Sequence, residues 1–127
     1  VDQARNGTGC AIVHSDSEIG IQHLNQEASK ALSAGLKAGY KISKARAMKW
    51  ITSNPAKAAG IYEETGSLQV GKNADVVLWS QNPFSVYALA EKVYIDGAIA
   101  FDKEKGLVPN SDFDLGILNP TKNRIQE

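Results

Sequence analysis

Ile51-Thr52-Ser53-Asn54-Pro55-Ala56-Lys57-Ala58-Ala59-Gly60 is followed by Thr65-Gly66-Ser67-Leu68-Gln69-Val70-Gly71-Lys72-Asn73-Ala74-Asp75-Val76-Val77-Leu78-Trp79 and then by Val93-Tyr94-Ile95-Asp96-Gly97. Asn54-Pro55 reads as a helix start, with Asn as N-cap and Pro at the first helical position. Gly60 reads as the C-cap glycine that ends this short helix. Residues 61–73 form a link punctuated by the turn glycines Gly66 and Gly71, with Lys72 and Asp75 expected to position it by hydrogen bonds. Residues 74–79, apolar apart from Asp75, read as a buried strand. Asn82-Pro83 breaks that strand, and residues 85–91 read as a turn of helix. Asp96-Gly97 is the preferred pair for a two-residue type I′ turn, so residues 92–95 and 98–101 are predicted to form a β-hairpin.

Upstream, Gly7-Thr8-Gly9 stops a helical tail at residues 1–6. Cys10-Ala11-Ile12-Val13 is a short apolar run that suits a parallel strand buried on both faces. In it Cys10 is expected to act as a buried small hydrophobe. The run ends in His14-Ser15-Asp16-Ser17-Glu18, and polar residues just past the end of a buried parallel strand are where α/β barrels put their chemistry. Residues 21–38 carry one apolar stripe (Leu24, Ala28, Ala31, Leu32, Leu36) at helical spacing, closed by Gly39. A further helix starts at Ser43, a good N-cap, and runs to about residue 53. Its predicted inner face is Ala45, Met48, Ile51 and Thr52, with Trp50 at the flank; Trp50 and Trp79 are both expected to pack. Beyond Lys103, polar residues, glycines and prolines dominate, and residues 121–127 read as a loose or docked tail.

The 127 residues suffice for one domain with a modest core. Basic and acidic residues balance at 14 each, which argues against a nucleic acid or an anionic membrane as partner. The single cysteine allows no intrachain disulfide. No run approaches the roughly 18 apolar residues of a membrane helix. Gly7 and Gly9 precede a strand and lack the third glycine of a phosphate-binding motif. Ser15, His14 and Asp16 are sequence neighbours whose side chains diverge, so a nucleophilic triad is not available. On spacing alone, Asp16 is a helix cap or loop acid, and His14 and His23 are ordinary polar residues.

Taken together, the threonine near a helix end, Asn-Pro-Ala, Gly-Ser-Leu, Gly-Lys, Ala-Asp before an apolar strand and the later Asp-Gly resemble the C-terminal segment of the metal-dependent amidohydrolase superfamily, in particular its imidazolonepropionase-like branch. The resemblance runs from about residue 8 to residue 102. It implies an α/β fold: the last strand and helices of a (β/α)8 barrel, residues 1–61, then closing strands of a small β-sandwich, residues 62–109, then a C-terminal tail, residues 110–127. Seen alone, such a segment would look α+β. The resemblance also implies that Asp16 is the aspartate ending the last barrel strand. In that role it would bind metal and take a proton from the metal-bridging water that attacks the substrate carbon. His14 becomes a candidate substrate-binding residue, while His23 falls on a solvated helix face.

The implied activity is hydrolysis of a carbon–nitrogen bond in an amide or cyclic amide, with one or two divalent metals, zinc in expectation. The partners would be a small-molecule amide substrate and the remainder of the barrel. A barrel alone takes about 250 residues, and the family's other ligands, a His-x-His pair among them, have no counterpart here. The expectation is therefore the C-terminal piece of a longer enzyme, inactive by itself. A non-catalytic α+β interaction module and one subunit of a split enzyme are the alternatives.

Overall fold

A computed structural model describes residues 10–105. The predicted helical tail at residues 1–6 and the C-terminal tail lie outside the described residues. After an extended segment, a 3-10 turn at Gly20–His23 leads into α1 (Leu24–Lys37). Next come α2 (Lys44–Met48), prolonged by a 3-10 turn at Lys49–Ile51, and α3 (Ser53–Ala58). Then β1 (Val76–Trp79), β2 (Ala90–Ile95) and β3 (Ala98–Asp102) form an antiparallel sheet in the order β1-β2-β3. The described chain is thus helices followed by an antiparallel sheet.

The helix ends follow local chemistry. Ser43 caps α2, its side chain accepting from Arg46 N–H. Gly39 and Gly60 take positive φ and close α1 and α3 with the same paired bonds. Tyr40 N–H reaches Gly35 O and Gly39 N–H reaches Leu36 O, while Ile61 N–H reaches Ala56 O and Gly60 N–H reaches Lys57 O. This is the Schellman arrangement, which satisfies carbonyls left over at a helix end.

The predicted hairpin forms between β2 and β3, with Asp96 and Gly97 both at positive φ as a type I′ turn requires. Lys92 lies opposite Asp102, and their charged groups approach to 3.6 Å across the strands.

Several sequence expectations differ from the structure, some through long-range contacts and some through local turns. Residues 10–13 are extended but pair with no strand among the described residues. Instead, Ala11 O accepts from the Asn54 side chain at 2.8 Å, and Val13 N–H donates to Trp50 O at 3.0 Å. Cys10 is accordingly exposed, not buried. Asn54 does not cap α3: the helix already starts at Ser53, and the Asn54 amide, buried within the fold, holds the Ala11 carbonyl instead. The inner face after Ser43 is Ala47 and Trp50, not Ala45, because the 3-10 turn brings residues three apart onto one side. Residues 85–91 form turns and the start of β2, not a helical turn; Ser85 N–H bonds Asn82 O and Ala88 N–H bonds Ser85 O.

The expected stripe of α1 is buried at Ala28 and Leu32, while Ala31 and Leu36 are exposed. β1 starts at Val76, and Val77 and Leu78 are exposed where a buried strand was expected. Among the described residues it is an edge strand with one paired neighbour, so one side of its backbone and much of its surface are left open by them.

The core is small. Leu32, Ala47 and Trp50 are its buried centre, and Ala11, Val13, Ile42 and Phe84 pack around them. Phe84 belongs to the connection between β1 and β2, which therefore ties the sheet to the helices. Asn25 Nδ2 and Ser29 Oγ on α1 donate to Pro83 O and Phe84 O, each at 2.8 Å.

Candidate active site

The extended segment places the candidate residues by strand alternation. Ala11 and Val13 pack against the Trp50 cluster, while Ile12, His14 and Asp16 are exposed. Asn54 and Trp50 anchor the segment from the side of α3, so His14 and Asp16 are presented two residues apart on its open side. His14 Nδ1 lies 3.5 Å from Asp16 Oδ1, and the two side chains are 76% and 97% exposed. The pair becomes an ion pair only when the imidazole is protonated. His14 and Ser15 also line an open hollow of about 500 Å³ with Ile12, Val13, Gly20, Glu27 and Ala31. A second hollow, about 380 Å³ between residues 11–13 and α1, is almost wholly apolar and offers packing surface, not chemistry.

Zinc takes three or four protein ligands from nitrogen, sulfur and oxygen donors. His14 and Asp16 bring one imidazole and one carboxylate together. Among the described residues no group of three or more His, Cys, Asp or Glu side chains converges. The donor types suit a divalent metal, but as part of a ligand set whose other members must come from elsewhere. His23 is exposed just before α1 and joins no such group. No helix among the described residues is long and apolar enough to cross a membrane.

Lys72 and Asp75 act structurally, as their setting in the link predicts. Lys72 Nζ donates to Tyr62 O and sits 3.5 Å from the centre of the Tyr62 ring. The Asp75 carboxylate accepts from Thr65 Oγ1 at 2.7 Å and from Asp96 N–H at 3.1 Å. It thereby holds the hairpin turn against the link. The Thr65 hydroxyl first, and the Asp96 amide second, hold the Asp75 carboxyl below its ordinary value. Because the folded value is depressed, the stabilisation is complete above the unfolded value of about 3.9 and is lost as pH falls through the folded value. Amide exchange at Asp96 and Gly97 should therefore accelerate below about pH 4 relative to the hairpin's other amides, and Asp75→Asn should abolish that pH dependence. Unchanged protection of these two amides down to about pH 2 would contradict the clamp.

Asn54 is the residue whose role sequence reasoning missed. Asn-Pro is equally good as a cap signal, and only the distant Ala11 carbonyl shows what the amide binds.

Residues 5–109 match the Amidohydrolase family. The chain is 33% identical over 84 residues to amidohydrolase tasK of Hapsidospora irregularis, covering 66% of this chain and 8% of that protein. It is 46% identical over 55 residues to the urease subunit alpha of Haloquadratum walsbyi, covering 43% of this chain and 9% of that protein. Among solved structures, an amidohydrolase from Thermotoga maritima superposes with a TM-score of 0.54 at 35% identity, over 62% of this chain and 19% of that one. The chain therefore spans under a tenth of the length of these two curated relatives. The match over residues 5–109, with these relatives beside it, shows that this chain belongs to the amidohydrolase family.

Proposed function

We propose that this chain is the C-terminal part of a metal-dependent hydrolase that cleaves a carbon–nitrogen bond in an amide, cyclic amide or dipeptide, within the imidazolonepropionase-like branch. Residues 1–61 supply the last strand and helices of the barrel, residues 62–109 the closing strands of the sandwich, and residues 110–127 a tail. The observation that carries this reading is the placement of Asp16 and His14 on the open side of the segment that Asn54 and Trp50 anchor. A divalent metal, zinc by preference, would supply a polarised water and a Lewis acid when bound. Asp16 is the metal-binding carboxylate and the group that holds the transferred proton. His14, at its side, contacts the substrate.

The exposed apolar side chains support a larger assembly. Ile12 beside the site, Leu36 on α1, Leu68 and Val70 in the link, and Val77 and Leu78 on β1 are all exposed. Neighbouring barrel strands and the rest of the sandwich are what this reading places over them.

The test is hydrolysis by the full-length protein of a panel of N-acetyl amino acids, dipeptides and hydantoin, read as new amine or carboxylate. Turnover of at least one compound, lost on chelation and regained with zinc, is expected. Turnover unaffected by thorough metal removal, or no turnover of any member by metal-loaded protein, would contradict the reading.

A further inference from the structure

Asp16 bears its carboxylate on an almost fully exposed side chain, and His14 at 3.5 Å is too distant to hold it firmly. The direction of its Cα–Cβ bond therefore depends on the backbone around it, and that backbone is tied. The Ser15 hydroxyl reaches across Asp16 to its far neighbour, accepting from Ser17 N–H at 3.1 Å and lying 3.2 Å from Ser17 O as donor. Ser17 is tied onward in turn: its Oγ accepts from Gly20 N–H at 3.1 Å, and its carbonyl accepts from Ile21 N–H at 2.9 Å. Asp16 is thus the middle residue of a loop closed by one side chain and fastened to the turn that starts α1.

Gly20 fits against this loop for a reason of space. A Cβ there would come within 2.5 Å of Ser15 Oγ and 3.3 Å of Ser17 Cβ. The seat of the Ser15 hydroxyl exists only because residue 20 has no side chain.

We propose that Ser15, seated against Gly20, is a positioning residue that aims the Asp16 carboxylate at the metal and substrate. The inference rests on the reading of Asp16 given above. Ser15 touches neither metal nor substrate; it acts by closing the backbone around the residue that does. Misplacing a reacting group by about 1 Å costs up to about 100-fold in rate, so a loosened loop should register in catalysis while the fold survives.

Ser15→Ala, Ser15→Thr, Gly20→Ala and Asp16→Ala would be made in the full-length protein. Zinc affinity would be measured by competition with a coloured chelator, melting temperature by calorimetry, and kcat and KM on the best-cleaved compound of the panel. Ser15→Ala is expected to lower kcat about 10-fold, with KM within about twofold of wild type, and to weaken zinc binding measurably. Gly20→Ala should reproduce this by displacing a hydroxyl that is still present. Ser15→Thr, which keeps the hydroxyl, should restore most of both properties. A merely structural role would lower the melting temperature and leave kcat and zinc affinity per folded molecule unchanged. That result, or wild-type kcat and zinc affinity in Ser15→Ala while Asp16→Ala is inactive, overturns the positioning role alone. If Asp16→Ala itself keeps wild-type turnover and zinc affinity, the site assignment fails, and the role of Ser15 with it.

Discussion

Asp16→Ala in the full-length enzyme is expected to lower kcat by about 1,000-fold or more, with the melting temperature within a degree or two of wild type. The rate loss follows from two roles on one carboxylate. A positioned acid–base group contributes about 100- to 10,000-fold by itself, and the same oxygen atoms are proposed to hold metal. The spared stability follows from exposure: the Asp16 side chain is 97% exposed, so its removal empties no packed space. Asp16→Asn, which keeps the shape but cannot take a proton, should be nearly as inactive. Turnover within about tenfold of wild type in either variant would refute the assignment of Asp16.

Trp50→Ala should be the most destabilising single change in the described chain, by about 3–5 kcal/mol. Trp50 is 7% exposed at the centre of the core, with Leu32 and Ala47 beside it. The residues packed around that centre carry the proposed site: Ala11 and Val13 precede His14 and Asp16, and Phe84 anchors the sheet to α1. The core has few members among the described residues, so they have little capacity to collapse into the space left behind. Trp50→Phe, which keeps an aromatic ring, should cost less than half as much. Denaturant unfolding of the full-length protein measures both; a loss under about 1 kcal/mol for Trp50→Ala would show that the cluster is not the core of this region.

Much of the fold could be read from the sequence where a local rule governs it. Asp96-Gly97 needs only its own backbone preferences to specify a type I′ turn, and Ser43 needs only the amide three residues ahead. Gly39 and Gly60 end helices because glycine takes positive φ cheaply. The reading lost accuracy where distant residues compete. Asn54 has a good local use as a cap, but the helix starts one residue earlier and its Nδ2 donates to the distant Ala11 carbonyl. Residues 10–13 have the composition of a buried strand, yet composition does not supply a neighbouring strand, and the backbone bonds go to Asn54 and Trp50. Ala45 and Ala47 are alike in sequence, and only the tightening at Lys49–Ile51 decides which is buried.

The proposed site was reached in a different way. Nothing in the spacing of Asp16 separates a catalytic acid from a loop acid, and the family's ordered motifs singled it out. Its geometry is consistent with that role, since His14 and Asp16 share the open side of an anchored segment. The Ser15–Gly20 seat was invisible, because it depends on a hydroxyl and a missing Cβ meeting across a turn.

Asp16 is proposed as a metal ligand in a site completed by other parts of the enzyme. Diffraction from the zinc-loaded full-length protein, collected on both sides of the zinc absorption edge, tests it most directly. The expected result is a metal peak with an Asp16 oxygen at about 2.0–2.2 Å and with nitrogen or oxygen ligands from outside residues 10–105 completing the set. A fully liganded zinc elsewhere, with the Asp16 carboxylate in solvent, would contradict it.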